Sequence, residues 1–336
     1  MKTVLLLLGF ALAMPGQDAA GKVQRIQVHG GSLEGNLSGD AADRDVMVWL
    51  PPGYAGSGAR RYPVLYLLHG FTDNTDNWWG VNKHFVSVPA VMDKAQAAGA
   101  GDMIVVMPNA FTRFQGSMYS SSVVTGDWET FVATELVAYV DKHYRTQARR
   151  EGRGLAGHSM GGYGALRIAM KRPDVFSALY ALNPCCLAGE PRAGSKAGAI
   201  RVPEEIAKAD FFTKAELASA AAWSPNPNKP PLYVDLPFED GQLRAEIAAK
   251  WQANRPLAFL DQYIHALRRY SRIGIDAGTK EPAIEPTVRA LHARLEAYGI
   301  RHAYEIYEGG HVDRVAERLE KVVLPMMAEH FRTVRR

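Results

Sequence analysis

Apolar positions along the chain follow two rhythms. Near-continuous apolar runs at 64–68, 103–107 and 178–182 have the length and content of strands covered on both faces. Further candidate strands lie at 25–28, 45–50, 153–156, 273–276 and 303–307. Between the strands, helical stretches are expected at 86–98, 129–141, 160–171, 284–298 and 312–331. In the second of these, Phe131, Leu136, Val137 and Val140 mark one face, and Asp127 can cap the start by accepting from a free backbone amide. Strand and helix in alternation predict βα units, and so an α/β fold with a mostly parallel central sheet flanked by helices. The turn-rich segment Gly30-Gly31-Ser32-Leu33-Glu34-Gly35-Asn36 joins the first two strands and predicts an antiparallel hairpin at the sheet edge.

Residues 187–267 break the alternation. They hold eight of the 19 prolines, together with Trp223, Tyr233, Phe238, Trp251, Phe259 and Tyr263. A long irregular stretch inside a regular α/β chain reads as an insertion, and such segments serve as lids or binding loops. A cap over one end of the sheet, after the sixth strand, is expected. The alternative is a solvent-facing excursion whose aromatics pack on its own small helices. At the start of the chain, Met1 and Lys2 precede an apolar run over 3–14 that contains four consecutive leucines, and small residues follow. This is the layout of a secretory leader, since about 12 apolar residues fall short of the roughly 20 that span a bilayer. Residues 1–20 are therefore expected to be a signal peptide. Residues 21–336 would form one catalytic domain, exported to the periplasm or the exterior without stable membrane insertion.

Composition narrows the function classes. With 39 basic and 35 acidic residues the net charge is +4, and the basic residues are scattered, so no nucleic-acid surface is marked. A hydrophobic share of 47% is that of a globular protein with a sizeable core. The two cysteines, Cys185 and Cys186, are neighbours, which rules out a disulfide framework and leaves stability to the core. Two buried thiols are expected, ahead of a strained vicinal disulfide or an intermolecular bond. A metal at this pair is not expected, because no histidine or further cysteine stands at ligand spacing.

The candidate chemistry starts at Gly157-His158-Ser159-Met160-Gly161-Gly162, a Gly-x-Ser-x-Gly pattern between a predicted strand and a predicted helix. A sharp strand-to-helix turn exposes the serine Oγ, and the flanking glycines let neighbouring backbone pass. Ser159 is the candidate nucleophile. On such an architecture the acid and the histidine follow in that order. Asp276 ends a short apolar strand before a glycine turn and is preferred over Asp261, Glu281 and Asp313, none of which ends a strand. His311 follows the last strand through Glu308-Gly309-Gly310, one βα unit later, and is the candidate base. The oxyanion donors are expected to be the backbone amides of Met160 and, from Leu67-Leu68-His69-Gly70-Phe71, of Phe71. His69 reads as a buried histidine that bonds this loop. Trp78 and Trp79, if exposed near the serine, would make an apolar wall for an acyl or aromatic group; ordinary packing under the loop is the alternative.

Taken together, Pro63-Val64-Leu65-Tyr66-Leu67-Leu68-His69-Gly70, Gly157-His158-Ser159-Met160-Gly161-Gly162, Asp276-Ala277-Gly278 and Gly309-Gly310-His311 resemble the esterase D-type α/β hydrolases. That group includes S-formylglutathione hydrolases, feruloyl and acetyl xylan esterases, enterochelin esterases and the antigen 85 mycolyltransferases. The resemblance runs from about Arg25 to the C-terminus. It implies an α/β-hydrolase fold and carboxylic-ester hydrolysis through an acyl-enzyme on Ser159, with Asp276 and His311 completing the triad and no metal or organic cofactor. The substrate would be a small or polysaccharide-linked ester, such as a feruloyl or acetyl ester. The long insertion speaks against formylglutathione. Two other classes stay open: an acyltransferase of antigen 85 type, in which a sugar or lipid alcohol takes the place of water, and a non-catalytic binding module.

Overall fold

The computed structural model of the chain describes residues 20–191 and 193–333. The signal peptide expected over residues 1–20 lies outside them, apart from Ala20. Eight strands form the main sheet: β1 (Lys22–His29), β2 (Asp43–Leu50), β3 (Val64–Leu68), β4 (Ile104–Pro108), β5 (Arg153–His158), β6 (Ala178–Leu182), β7 (Arg272–Gly278) and β8 (Ala303–Tyr307). Their spatial order is β1-β2-β4-β3-β5-β6-β7-β8. The predicted hairpin is present, with Lys22 paired to Leu50 and His29 to Asp43, and β2 also runs antiparallel to β4. From β4 onward every pairing is parallel, so the carboxyl ends of β3, β5, β6, β7 and β8 share one edge.

Alternation along each strand sorts the core into two layers. On β3, Val64, Tyr66 and Leu68 face one cluster, while Leu65 and Leu67 face the other. The first layer is covered by α2 (Leu136–His143), α3 (Met160–Lys171) and α5 (Glu285–Ala297), which contribute Leu136, Ile168 and Leu291 among others. The second is covered by α1 (Val88–Ala97) and α6 (Leu324–Thr333), through Val91, Met92, Met327 and Phe331. Asp127 is the expected cap: its side chain accepts from the Thr130 amide at 3.1 Å. Two long helical runs differ from the simple expectation, because Phe131–Glu135 and Leu319–Val323 wind as π-helical turns.

The insertion packs into the core of the sheet's first layer. Leu187, Ile206, Leu217, Trp251, Leu260 and Ile264 belong to the first hydrophobic layer, and the longest helix of the segment, α4 (Phe211–Trp223), is buried over most of its length. Its aromatics serve both sides of that junction: Trp223 meets Trp251 edge-on at 5.4 Å and also packs on Tyr163 of α3 at 5.7 Å. Tyr163 also donates to the Asn254 carbonyl at 2.9 Å. Among the described residues no helix is long and apolar enough to cross a membrane.

Candidate active site

Ser159 sits at the junction of β5 and α3 with φ 55° and ψ −115°, a conformation that side chains rarely adopt. The surrounding backbone enforces it. A Cβ on Gly157 would lie 2.2 Å from the Gly161 carbonyl oxygen, and one on Gly161 would lie 2.1 Å from that of Leu68. Glycine at both positions therefore lets the turn close against β3. The outcome is a serine at the start of a twelve-residue helix, on the dipole end that favours negative charge.

His311 reaches this serine from the loop after β8, with Nε2 2.9 Å from Ser159 Oγ. Its loop is pinned from two sides. His158 Nε2 donates to the His311 carbonyl at 2.8 Å, and Asn183 Nδ2 donates to the Tyr307 hydroxyl at 2.7 Å and to the His311 carbonyl at 3.2 Å. Burial lowers the pKa of His311, opposed by the charge and hydrogen bonding of Glu281, so the ring is neutral at physiological pH and free to accept a proton. Burial also holds His158 neutral, at about 3.

The acid expectation is not met. Asp276 lies inside β7, which runs two residues further to Gly278, and it pairs in register with Leu182 and Glu305. Strand alternation turns its carboxylate into the second core layer, where it is fully buried. There Oδ2 accepts from Arg318 Nε at 3.0 Å, Arg318 Nη2 at 2.8 Å and the Tyr180 hydroxyl at 2.8 Å, while Oδ1 accepts from the Asn183 amide at 3.2 Å. Burial lifts its pKa to about 6, against the pull of Arg318, so it is ionised at neutral pH and committed to the guanidinium. The carboxylate that faces His311 belongs to Glu281, whose Oε2 lies 3.2 Å from Nδ1. Nδ1 is buried and makes no aligned hydrogen bond among the described residues, so Glu281 meets it as a close charge contact. Ser159, His311 and Glu281 are thus brought together, and Asp276 is not.

The loop after β3 lies against the serine, since a Cβ on Gly70 would come within 3.6 Å of Ser159 Cβ. The amides of Phe71 and Met160, the two expected donors, have no acceptor among the described residues. His69 has the bonding role expected of it. Ring Nδ1–H donates to the Gly70 carbonyl at 2.9 Å and Nε2 accepts from the Ala110 amide at 2.9 Å, a neutral tautomer matched to its complete burial. The tryptophan wall is absent. Trp78 is fully buried with Nε1 donating to Asp73 at 2.8 Å, and Trp79 is buried in the second layer, because the one-turn helix Thr75–Trp78 folds both rings under the loop. An aromatic ledge does exist, formed by the ring of Phe71 with Phe211 and Phe212, which no sequence motif marks. The Phe71 ring meets Phe211 edge-on at 5.7 Å, and Phe211 meets Phe212; these two are 57% and 77% exposed at the start of α4.

Asn183, Arg318, Tyr180 and Glu281 carry no local motif that separates them from other polar residues. Glu281 alone had a usable signal, a carboxylate on the loop directly after the seventh strand. One group of potential metal ligands occurs among the described residues, His292, Glu296 and His302, with ligand atoms within 4.8 Å of one another. It lies on α5 and the turn before β8, and His302 Nδ1 is bonded to the Ile300 carbonyl at 2.7 Å.

The Esterase family model matches residues 41–315, most of the chain and all of the site just described. The chain belongs to the Esterase family. An esterase of Mycobacterium tuberculosis is 36% identical over 126 residues, covering 38% of this chain and 26% of the relative. An endo-1,4-beta-xylanase/feruloyl esterase of Xylanibacter ruminicola is 33% identical over 133 residues, covering 38% of this chain and 18% of the relative. The matched segments thus span about a quarter or less of these curated relatives. Among solved structures, a ferulic acid esterase superposes with a TM-score of 0.65 at 23% identity, over 94% of this chain and 100% of that one. An S-formylglutathione hydrolase from Agrobacterium tumefaciens gives 0.59 at 18% identity, over 94% and 98%. Both likenesses establish the esterase's α/β-hydrolase fold.

Proposed function

We propose that this esterase is an exported serine carboxylesterase that works through an acyl-enzyme on Ser159. One observation carries the reading above the others: Ser159 Oγ, on its strained turn, lies 2.9 Å from a His311 ring that burial keeps neutral. His311 takes the serine proton as Oγ attacks the ester carbonyl, then returns it to the departing alcohol; a water repeats the cycle on the acyl-enzyme. Glu281 takes the part first given to Asp276, orienting the imidazole and supporting its positive charge. The amides of Phe71 and Met160 would receive the developing oxyanion. The ledge of Phe71, Phe211 and Phe212 favours esters with an aromatic or extended apolar group, and feruloyl esters fit that description better than acetyl esters do.

A fluorophosphonate probe tests the nucleophile. It should label the wild-type chain and leave Ser159→Ala unlabelled, and Ser159→Ala should lose at least about a thousandfold in kcat on p-nitrophenyl acetate. Retained activity in that variant would end the proposal. Comparing methyl ferulate with p-nitrophenyl acetate and acetylated xylan then reads the substrate class.

A further inference from the structure

Both cysteines of the chain stand beside this site, and nothing in the acyl-transfer chemistry uses them. They follow β6 through Asn183 and Pro184, are each partly exposed, and are unpaired. Their sulfur atoms are 2.6 Å apart. The backbone joins them to the catalytic groups at two points. The Cys185 amide donates to the Ser159 carbonyl at 3.2 Å, and Asn183, two residues upstream, is the residue that holds the His311 carbonyl and the Tyr307 hydroxyl. We propose that Cys185 and Cys186 are a dithiol modification site for small disulfides on the wall of the catalytic centre, and that their oxidation to a vicinal disulfide impairs ester turnover.

The two thiols are unequal. The hydrogen bond with Cys185, helped by the Arg255 guanidinium, brings Cys186 below the ordinary thiol range, whereas that bond and burial push Cys185 up. Either thiol can attack once ionised while its neighbour resolves, and Cys186 is the one that the bond and Arg255 favour. The Cys186 thiolate attacks one sulfur of an external disulfide such as oxidised glutathione, forming a mixed disulfide and expelling one thiolate. Cys185, giving up its proton, attacks the Cys186 sulfur and expels the second. Two protein thiols lose two electrons and two protons, and the external disulfide gains them as two thiols.

The closure has a mechanical consequence. Adjacent Cα atoms are about 3.8 Å apart, whereas disulfides settle at Cα separations of about 4.4–6.8 Å. Bridging neighbours therefore twists the peptide between them. That peptide adjoins the Cys185 amide bonded to Ser159, and the strain runs into Asn183 and the His311 loop. Displacement of the serine and histidine by even about 1 Å is enough to cost up to a hundredfold in rate.

The catalytic readout rests on Ser159 being the nucleophile; the thiol readout does not. The experiment treats the wild-type chain with oxidised glutathione, counts free thiols by alkylation and intact mass, and measures p-nitrophenyl acetate hydrolysis before and after dithiothreitol. The proposal expects no alkylatable thiol, a mass lower by two hydrogens, and a kcat/KM lower by about tenfold or more that dithiothreitol restores. Cys185→Ser should stall as the glutathione mixed disulfide, and the double variant Cys185→Ser/Cys186→Ser should keep its rate through the treatment. Two alkylatable thiols after oxidation, or a vicinal disulfide with an unchanged rate, would overturn it. A reduced wild-type chain that hydrolyses no ester would instead count against the esterase reading, while the thiol count would still decide whether the pair forms.

Discussion

Two carboxylates five residues apart, Asp276 and Glu281, meet different partners, Arg318 and His311. Asp276 is bonded on both oxygens inside the second core layer, and Arg318, only 5% exposed, pairs with it and with the more exposed Glu305. Neutralising Asp276 leaves the buried guanidinium with Glu305 alone and takes the charged partner from its Nε and Nη2, at a cost approaching about 3 kcal/mol. Asp276→Asn should therefore lower the urea midpoint strongly, and the fraction that still folds should keep most of its kcat. Glu281→Gln should behave in the opposite way, with little change in stability and a kcat lower by about a hundredfold or more. The pH profile separates the two further. Glu281 raises the pKa of His311 against the burial that lowers it, so the acid limb of kcat/KM should lie below the ordinary histidine value of about 6.5 and shift lower still in Glu281→Gln. If Asp276→Asn shifts the limb and Glu281→Gln does not, the assignment is reversed.

At the scale of elements, the turn at Ser159 is a contact between two of them. β3 and α3 meet where Gly161 faces the Leu68 carbonyl with no room for a side chain. Gly161→Ala must push the helix start from the strand end, and overpacking of that kind costs about 2–3 kcal/mol. It should also lower kcat, because Met160 and the loop through Gly70 move with the two elements; a variant of unchanged midpoint and rate would refute this. The insertion acts at the same scale. It was legible as a break in rhythm, through its prolines and aromatics, but not as a core element, because α4 is apolar nearly all round and offers no one-sided pattern. Its exposed start supplies the ledge. Phe211→Ala should raise KM for methyl ferulate several-fold more than for p-nitrophenyl acetate, and equal changes on both esters would remove the ledge from recognition. The π-helical turns at Phe131–Glu135 and Leu319–Val323 were likewise invisible to a reading based on a 3.6-residue period.

For the whole molecule, buried histidines set the response to acid. His158 and His330 are held neutral by burial, at about 3 and about 4, and burial lowers His69 as well. The unfolded chain takes up these protons near pH 6.5, so their share of stability is complete above that value and is lost as pH falls through it. Asp276 works the other way between about 4 and 6, because its folded pKa is raised and the fold gains stability as it protonates. His158 and His330 against one carboxyl leave a net loss of about 1.4 kcal/mol per pH unit in that window, and the lowered His69 and His311 add to it. Urea unfolding between pH 7 and 5 should show the midpoint falling; a flat or rising midpoint would contradict the buried neutral histidines.

The sequence by itself determined the eight strands, their α/β connection, the hairpin at the edge, the cap at Asp127 and the serine turn. Each follows from local patterns: period, turn residues and glycine spacing act within a few residues, and the main sheet confirms every predicted strand. It also determined that Ser159 and His311 would meet, because chain order on a parallel sheet fixes which loops share the carboxyl edge. Only the tertiary structure decided which carboxylate faces His311, since that turns on where β7 ends and to which face Asp276 points, both set by pairing with β6 and β8. It alone placed Trp78 and Trp79 beneath the loop, brought Phe211 to Phe71, and set the two cysteines against Ser159. These are contacts between residues far apart in the chain, and their free energy comes from packing that no single segment contains.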